Sequence, residues 1–210
     1  MKQDKISEAV VRRLPLYLRY LNELTISGVQ TVSSQDLGDK LDLNPAQIRK
    51  DLAYFGEFGR KGVGYNVHYL IEKIRQILKL DKILNVALVG TGNLGRALSN
   101  YSMYIRDNMK IVAVFDSDPS KYGTFINRLT VQPMNELSET VKRLDITIGI
   151  ITVPATEAQN VADRFVEAGI RGILNFAPSV IKAPSGVRVH HADFTGELLS
   201  LAYYMDHEKS

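Results

Sequence analysis

The sequence of 210 residues predicts an α/β protein in two parts: a small basic helical segment over residues 1–80, then an alternating strand–helix domain over 81–192 with a closing helix over 193–210. Three observations carry this reading. The apolar run from Leu84 to Val89 feeds straight into Gly90-Thr91-Gly92-Asn93-Leu94-Gly95, the sequence of a strand, a tight turn and a helix start. Further short apolar runs then alternate with amphipathic stretches, the pattern of a parallel sheet with crossover helices. The excess of positive charge is confined to the first eighty residues, which hold 13 Lys/Arg against 9 Asp/Glu, whereas the rest hold 13 against 14.

In the first segment, residues 7–26 form a helix with Val10, Leu14, Leu18, Leu21 and Leu24 on one face. Pro15 either kinks it or opens its main segment. Ser27-Gly28 ends it, and Ser34 caps a short second helix over 35–41. Asn44 as cap and Pro45 as first helical residue start a third helix over 45–55. Its Ile48, Leu52 and Phe55 face inward; Ala46, Gln47, Lys50, Ala53 and Tyr54 lie opposite, with Arg49 on the flank. Small, polar and basic groups on one face are what a helix entering a DNA major groove requires. Residues 57–67 read as a hairpin with Arg60, Lys61 and Gly62 at its tip, a wing placed to touch phosphates or a minor groove. Each piece alone is equally a solvated helix or hairpin; three helices and a basic hairpin in this order point to a winged helix that binds double-stranded DNA. Residues 69–80 read as a linker helix.

In the second part each glycine has a separate role. Gly90 permits the turn, Gly92 lets a pyrophosphate approach bare backbone, and Gly95 lets the helix over 94–103 pack on its strand. The pyrophosphate then meets the positive helix end. The next strand, 111–115, stops at Asp116, where a carboxylate accepts both ribose hydroxyls of an adenosine and repels a 2′-phosphate, favouring NAD(H) over NADP(H). A strand over 129–132, a helix over 133–143, a strand over 146–153 apolar on both faces, a helix over 155–168 and strands over 172–176 and 187–190 complete a Rossmann-like domain. The competing readings are a turn that binds nothing and a CoA site. Asn175, at the carboxyl edge of the sheet, either contacts nicotinamide or caps its own loop. Asp193 caps a terminal helix over 194–206 that is apolar nearly all round, and such a helix is covered by a partner subunit or by its own domain.

The absence of cysteine excludes disulfides, thiolate metal sites and thiol redox switching, so redox sensitivity has to come from a bound cofactor. No signal-peptide core or membrane-length apolar run is present, and a cytoplasmic protein without membrane or metal partners is expected. No catalytic residue is assigned: His190-His191 reads as a strand exit, and Tyr69 with Lys73 precedes the cofactor strand. The alternative is a small NAD-dependent oxidoreductase with an appended basic domain, which operator binding weakened by NADH would exclude.

Several segments carry a resemblance that covers almost the whole chain. They are Arg13-Leu14-Pro15-Leu16-Tyr17, Val32-Ser33-Ser34, residues 47–56 (Gln-Ile-Arg-Lys-Asp-Leu-Ala-Tyr-Phe-Gly), residues 62–67 (Gly-Val-Gly-Tyr-Asn-Val), Gly92-Asn93-Leu94-Gly95 and Pro154-Ala155. Together they resemble the Rex family of redox-sensing transcriptional repressors. The resemblance implies a homodimer on an inverted-repeat operator, a winged helix followed by a Rossmann domain that senses the NADH/NAD+ balance, a C-terminal helix exchanged between subunits, and release of DNA when NADH binds. It places DNA contacts in residues 17–56, Ser34 among them, and at Arg60, Lys61 and Gly62. Cofactor contacts fall on residues 90–95, Asp116 and Pro154. For an allosteric relay it offers Arg13 as the cation that meets the partner's copy of Asp193, with Tyr101 competing for that carboxylate.

Overall fold

The computed structural model describes residues 6–54, 56, 59–60, 64–101 and 109–207. They form two compact units, 1–82 and 83–210, each around a core of its own.

In the first unit Ser7 accepts the Val10 N–H and opens α1 (Glu8–Ile26). Pro15 sits inside this helix rather than at its start, with its neighbours Val11 and Leu16 on the exposed side. It offers no N–H to the Val11 carbonyl, a loss that solvent covers. The helix closes as a Schellman motif: Val29 N–H bonds Leu24 O at 2.9 Å, Gly28 N–H bonds Thr25 O at 3.1 Å, and Gly28 takes φ 74°. Next come β1 (Thr31–Val32) and α2 (Ser34–Leu41). The cap of α2 is Ser33, one residue before the expected Ser34. Ser33 Oγ accepts the Asp36 N–H at 3.0 Å while the Asp36 carboxylate accepts the Ser33 N–H at 2.9 Å, a reciprocal box that Ser34, followed three residues later by Leu37, cannot make.

Asn44 and Pro45 start α3 (Pro45–Ala53) as the sequence leads one to expect, and Ile48 and Leu52 are buried. Phe55, expected on the same stripe, lies outside the described residues. β2 (Gly59–Arg60) and β3 (Gly64–Asn66) join β1 in an antiparallel sheet of order β1-β3-β2. Gly64 has φ 91°, and a Cβ there would lie 2.6 Å from the Val32 carbonyl, so the wing's return strand reaches β1 only as glycine. The stretch expected to link the domains is instead a core helix, α4 (Val67–Ile77). Its Val67, Leu70 and Ile74 pack with Leu14, Tyr17 and Leu21 of α1, because an apolar face at three- and four-residue spacing gains by burial wherever a complementary face exists.

The second unit holds the remaining strands, β4 (Leu84–Val89), β5 (Met109–Asp116), β6 (Phe125–Ile126), β7 (Leu129–Pro133), β8 (Ile146–Ile151), β9 (Gly172–Asn175) and β10 (Arg188–His191). Their order is β10-β9-β8-β4-β5-β7-β6, parallel throughout except for β6, which pairs antiparallel with β7. Counting the parallel strands along the chain gives the doubly wound 3-2-1-4-5-6 arrangement, whose direction reverses between β4 and β8. Crossovers are made by α5 (Asn93–Tyr101), α6 (Leu137–Arg143) and α7 (Ala155–Glu167); the helix expected from 133 begins as a single 3-10 turn, Met134–Glu136. One face of the sheet packs Ala87, Val89, Ala113 and Phe115 under α6 and α7, and the other packs Leu88, Val114 and Val131 with Ile126 and Leu98.

The last helix, α8 (Phe194–His207), is not covered by its own unit: Phe194 is 75% and Tyr204 62% exposed, with Leu199, Leu201 and Met205 similarly open. Among the described residues no helix is long and apolar enough to cross a membrane. Gly149 in β8 leaves room for the fully buried Phe165 of α7, whose ring atoms would lie 2.4–2.7 Å from an added Cβ. Gly149→Ala should therefore destabilise the second unit by about 1–3 kcal/mol through overpacking. Chemical denaturation followed by circular dichroism tests this, and an unchanged midpoint would contradict it.

Candidate functional site

The crevice at the switch point lies where β4 and β8 end, and the glycine turn occupies it. Gly90 has φ 101°, and a Cβ on it would lie 2.6 Å from the Thr152 carbonyl. A Cβ on Gly95 would lie 1.9 Å from the Gly90 carbonyl, so α5 meets the turn backbone to backbone. A Cβ on Gly92 would meet nothing within 4 Å. Gly92, Asn93 and Leu94 are exposed at the start of α5, where free N–H groups and the helix dipole favour an anion. Pro154, also exposed, precedes α7 on the other side of the switch. Thr152 ties the two sides together, its hydroxyl lying 2.7 Å from Gly90 O and 3.0 Å from Val89 O.

Thr91 points inward instead, and Asp116 explains why. One carboxylate oxygen of Asp116 accepts from the Thr91 N–H at 2.8 Å, from the Thr91 hydroxyl at 2.5 Å and from Lys121 Nζ at 2.9 Å; the other accepts the Asp118 N–H at 3.0 Å. A carboxylate has roughly four lone-pair sites, two on each oxygen. Held this way, Asp116 has room for one ribose hydroxyl, on the oxygen that accepts the Asp118 N–H, and the two-hydroxyl contact expected from the sequence requires Thr91 to release one of its bonds. Burial opposes its charge, but the donors from Thr91, Asp118 and Lys121 outweigh it and hold the carboxyl at about 2, below the usual 3.8. Asn175 takes the second of its two expected roles: it is buried, its Nδ2 donates to Ala177 O at 3.1 Å and Ser179 O at 2.9 Å, and its Oδ1 accepts the Ala177 N–H at 3.0 Å. As held, it caps its loop: both Nδ2 protons are engaged, and one of the two lone pairs of Oδ1 is used.

On α3, Ala46, Arg49, Lys50 and Tyr54 are exposed and Gln47 is half-buried, all on the side away from Ile48 and Leu52. Arg49 donates to Ser34 Oγ at 2.9 Å, which joins the start of α2 to the outer face of α3. The side chain of Arg60, and Lys61 and Gly62 altogether, lie outside the described residues, as does the side chain of Tyr101 at the end of α5.

The sequence reading missed what lies beneath α3. Asp51 is fully buried, and its carboxylate accepts from Arg13 Nε at 2.5 Å, Arg13 Nη2 at 2.8 Å, Tyr17 Oη at 2.6 Å and Gln47 Nε2 at 2.7 Å. Burial works against the charge, yet the donors from Arg13, Tyr17 and Gln47 hold its carboxyl below the usual range; burial and the bond to Asp51 push the Tyr17 phenol up. The signal was present: Asp51 falls beside Ile48 and Leu52 on the inward stripe, and a carboxylate there demands a buried cation. The same network removes Arg13 as a free relay cation, because its guanidinium is engaged within its own unit. Asp193 caps α8, accepting the Gly196 N–H at 2.9 Å.

The depressed carboxyl of Asp116 makes a stability statement. Its folded value, about 2, lies below the ordinary 3.8, so its contribution is present above about pH 4 and disappears as pH falls through 2. The difference corresponds to about 2 kcal/mol. Asp116→Asn should flatten acid-induced loss of stability in that window relative to wild type, as measured by urea midpoints at stepped pH. Parallel profiles for the two proteins would contradict it.

Comparison with known proteins fits this geometry. The family described as "CoA binding domain" matches residues 81–179, and the one described as "Putative DNA-binding protein N-terminus" matches residues 5–53. The chain resembles RSP, a Rex-family repressor, in two crystal structures. The complex with β-NAD+ and operator DNA has TM-score 0.91 and 38% identity, covering 98% of this chain and 94% of that one. The complex with β-NADH has TM-score 0.86 and 37% identity, covering 97% and 96%. The redox-sensing transcriptional repressor Rex of Brevibacillus brevis is 59% identical over 204 residues, covering 97% of this chain and 99% of the relative. With that identity over nearly the full length of both chains, the chain belongs to the Rex family of redox-sensing transcriptional repressors.

Proposed function

We infer that this chain is a homodimeric repressor that binds operator DNA through α3 and the wing, takes NAD+ or NADH in the crevice at Gly92, and releases DNA when NADH binds. The observation that carries this is the match over nearly the whole chain to RSP structures holding operator DNA with β-NAD+ in one case and β-NADH in the other. Turnover is not part of the function, since the relatives that span this chain are repressors rather than oxidoreductases.

On this reading the pyrophosphate lies over Gly92 and the start of α5, and Asp116 receives a ribose hydroxyl. Ala46, Gln47, Lys50 and Tyr54 enter the major groove, with Ser34 and Arg49 at its edge and Arg60, Lys61 and Gly62 on the backbone. The uncovered face of α8 is the dimer contact, and two equivalent copies of α3 call for an inverted repeat. Coupling requires one ligand to favour an arrangement that the other disfavours, so NADH and DNA weaken each other by the same factor. Asp193 at the start of α8 is the carboxylate of that relay and Tyr101 its competitor. Arg19 replaces Arg13 as the cation: Arg12 pairs with Glu8 and Arg13 with Asp51, whereas Arg19 is exposed with no ion pair among the described residues.

The test is a titration of operator DNA, read by fluorescence anisotropy, with NADH and NAD+ in parallel. NADH should weaken operator binding by about 5- to 150-fold, and Arg19→Ala or Asp193→Ala should shrink that factor while leaving NADH affinity largely intact. Operator affinity indifferent to NADH would refute the repressor reading. An undiminished factor in both variants would refute the relay.

A further inference from the structure

Gln47 is the outward-facing residue of α3 whose side chain is fixed from below. Asp51, one turn further on and without solvent exposure, accepts its Nε2 at 2.7 Å. The same carboxylate cannot drift, because Arg13 holds both of its oxygens from α1 and Tyr17 holds one of them. A glutamine amide has two N–H donors and one carbonyl acceptor. With one N–H given to an anion that only accepts, the amide cannot flip without turning its oxygen onto that carboxylate. What remains for a ligand is therefore defined: the Oε1 acceptor and one N–H, side by side. Adenine presents the complementary pair in the major groove, an N6 donor next to the N7 acceptor. Lys50 and Arg49 have no acceptor to offer and cannot make this match.

Resting on the repressor reading above, we propose that Asp51 is a specificity-determining positioning residue: by pinning the Gln47 amide in one orientation it makes α3 demand adenine at one position of each operator half-site. Asp51 itself touches no base. It acts by removing the flipped amide, which would present its donors alone, and by lifting the rotamer cost of ordering a flexible side chain on binding.

The experiment uses the full-length chain. Duplexes are selected from a randomised library by the wild-type protein, and affinities are then measured for the selected operator with each base pair of a half-site replaced in turn. Wild type should discriminate against loss of one particular adenine by about 5- to 150-fold. Gln47→Ala should abolish discrimination at that position and keep the ranking elsewhere. Asp51→Asn should do the same, since a carboxamide can donate to Gln47 and admits the flipped amide. Ile74→Val, which trims the core of α4, lowers stability and should keep the full ranking. NMR relaxation of the Gln47 side-chain amide in the free wild-type protein adds a readout that needs no variant: it should be as ordered as the α3 backbone. A position ranking unchanged in Gln47→Ala or in a folded Asp51→Asn overturns the proposal, and so does a Gln47 amide that moves freely. Failure of the wild type to select any duplex would instead overturn the repressor reading.

Discussion

The ion pair between Arg13 and Asp51 is the constraint on which the first unit depends. A carboxylate taken wholly out of water is tolerable only when paired and hydrogen-bonded, and here every donor comes from α1 or from α3 itself. Removing one partner of such a pair typically costs about 3–5 kcal/mol, a large share of the stability of a unit of this size. The pairing therefore fixes where α3 lies against α1, which apolar contacts alone would leave free to slide. It also decides which surface α3 turns outward.

The second unit repeats the device with different chemistry. Asp116 ends β5 as a buried anion, and its donors are the backbone and hydroxyl of Thr91 inside the glycine turn. The turn is thereby held open before any ligand arrives, with Gly92 bare on one side and Thr91 tied on the other. A phosphate-binding loop ordered in advance loses little entropy on binding. Lys121 adds a third donor to the oxygen that Thr91 already fills, which leaves the free lone pair on the other oxygen for a sugar hydroxyl.

Much of this is legible in the residues. The three glycine roles can be assigned because each follows from sterics at one position, and the geometry at Gly90, Gly92 and Gly95 has those three forms. Asn44-Pro45 places the start of α3 because cap chemistry is local. The α2 cap falls one residue from its expected place because two adjacent serines compete, and only the reciprocal carboxylate of Asp36 decides between them. The helix α4 passes for a linker because periodicity reveals an apolar face and not what covers it. The roles of Asp51 and Arg13 escape for a related reason: 38 residues separate them, and pairing at that range belongs to the tertiary structure. Asn175 is legible as two alternatives and no further, since a buried amide at a sheet edge serves a loop or a ligand with the same atoms.

The open face of α8 has a consequence beyond assembly. On the dimer proposed above, a helix whose uncovered face carries Phe194, Leu199, Tyr204 and Met205 gains stabilisation from a second copy of the chain. Mass action then ties the integrity of each molecule to the number of molecules present. A cell holding few copies would keep a larger share as single chains, with that apolar surface exposed to chaperones and proteases. The abundance of such a protein is thus partly set by its own association constant, and a substitution on α8 far from either ligand would register first as a change in amount.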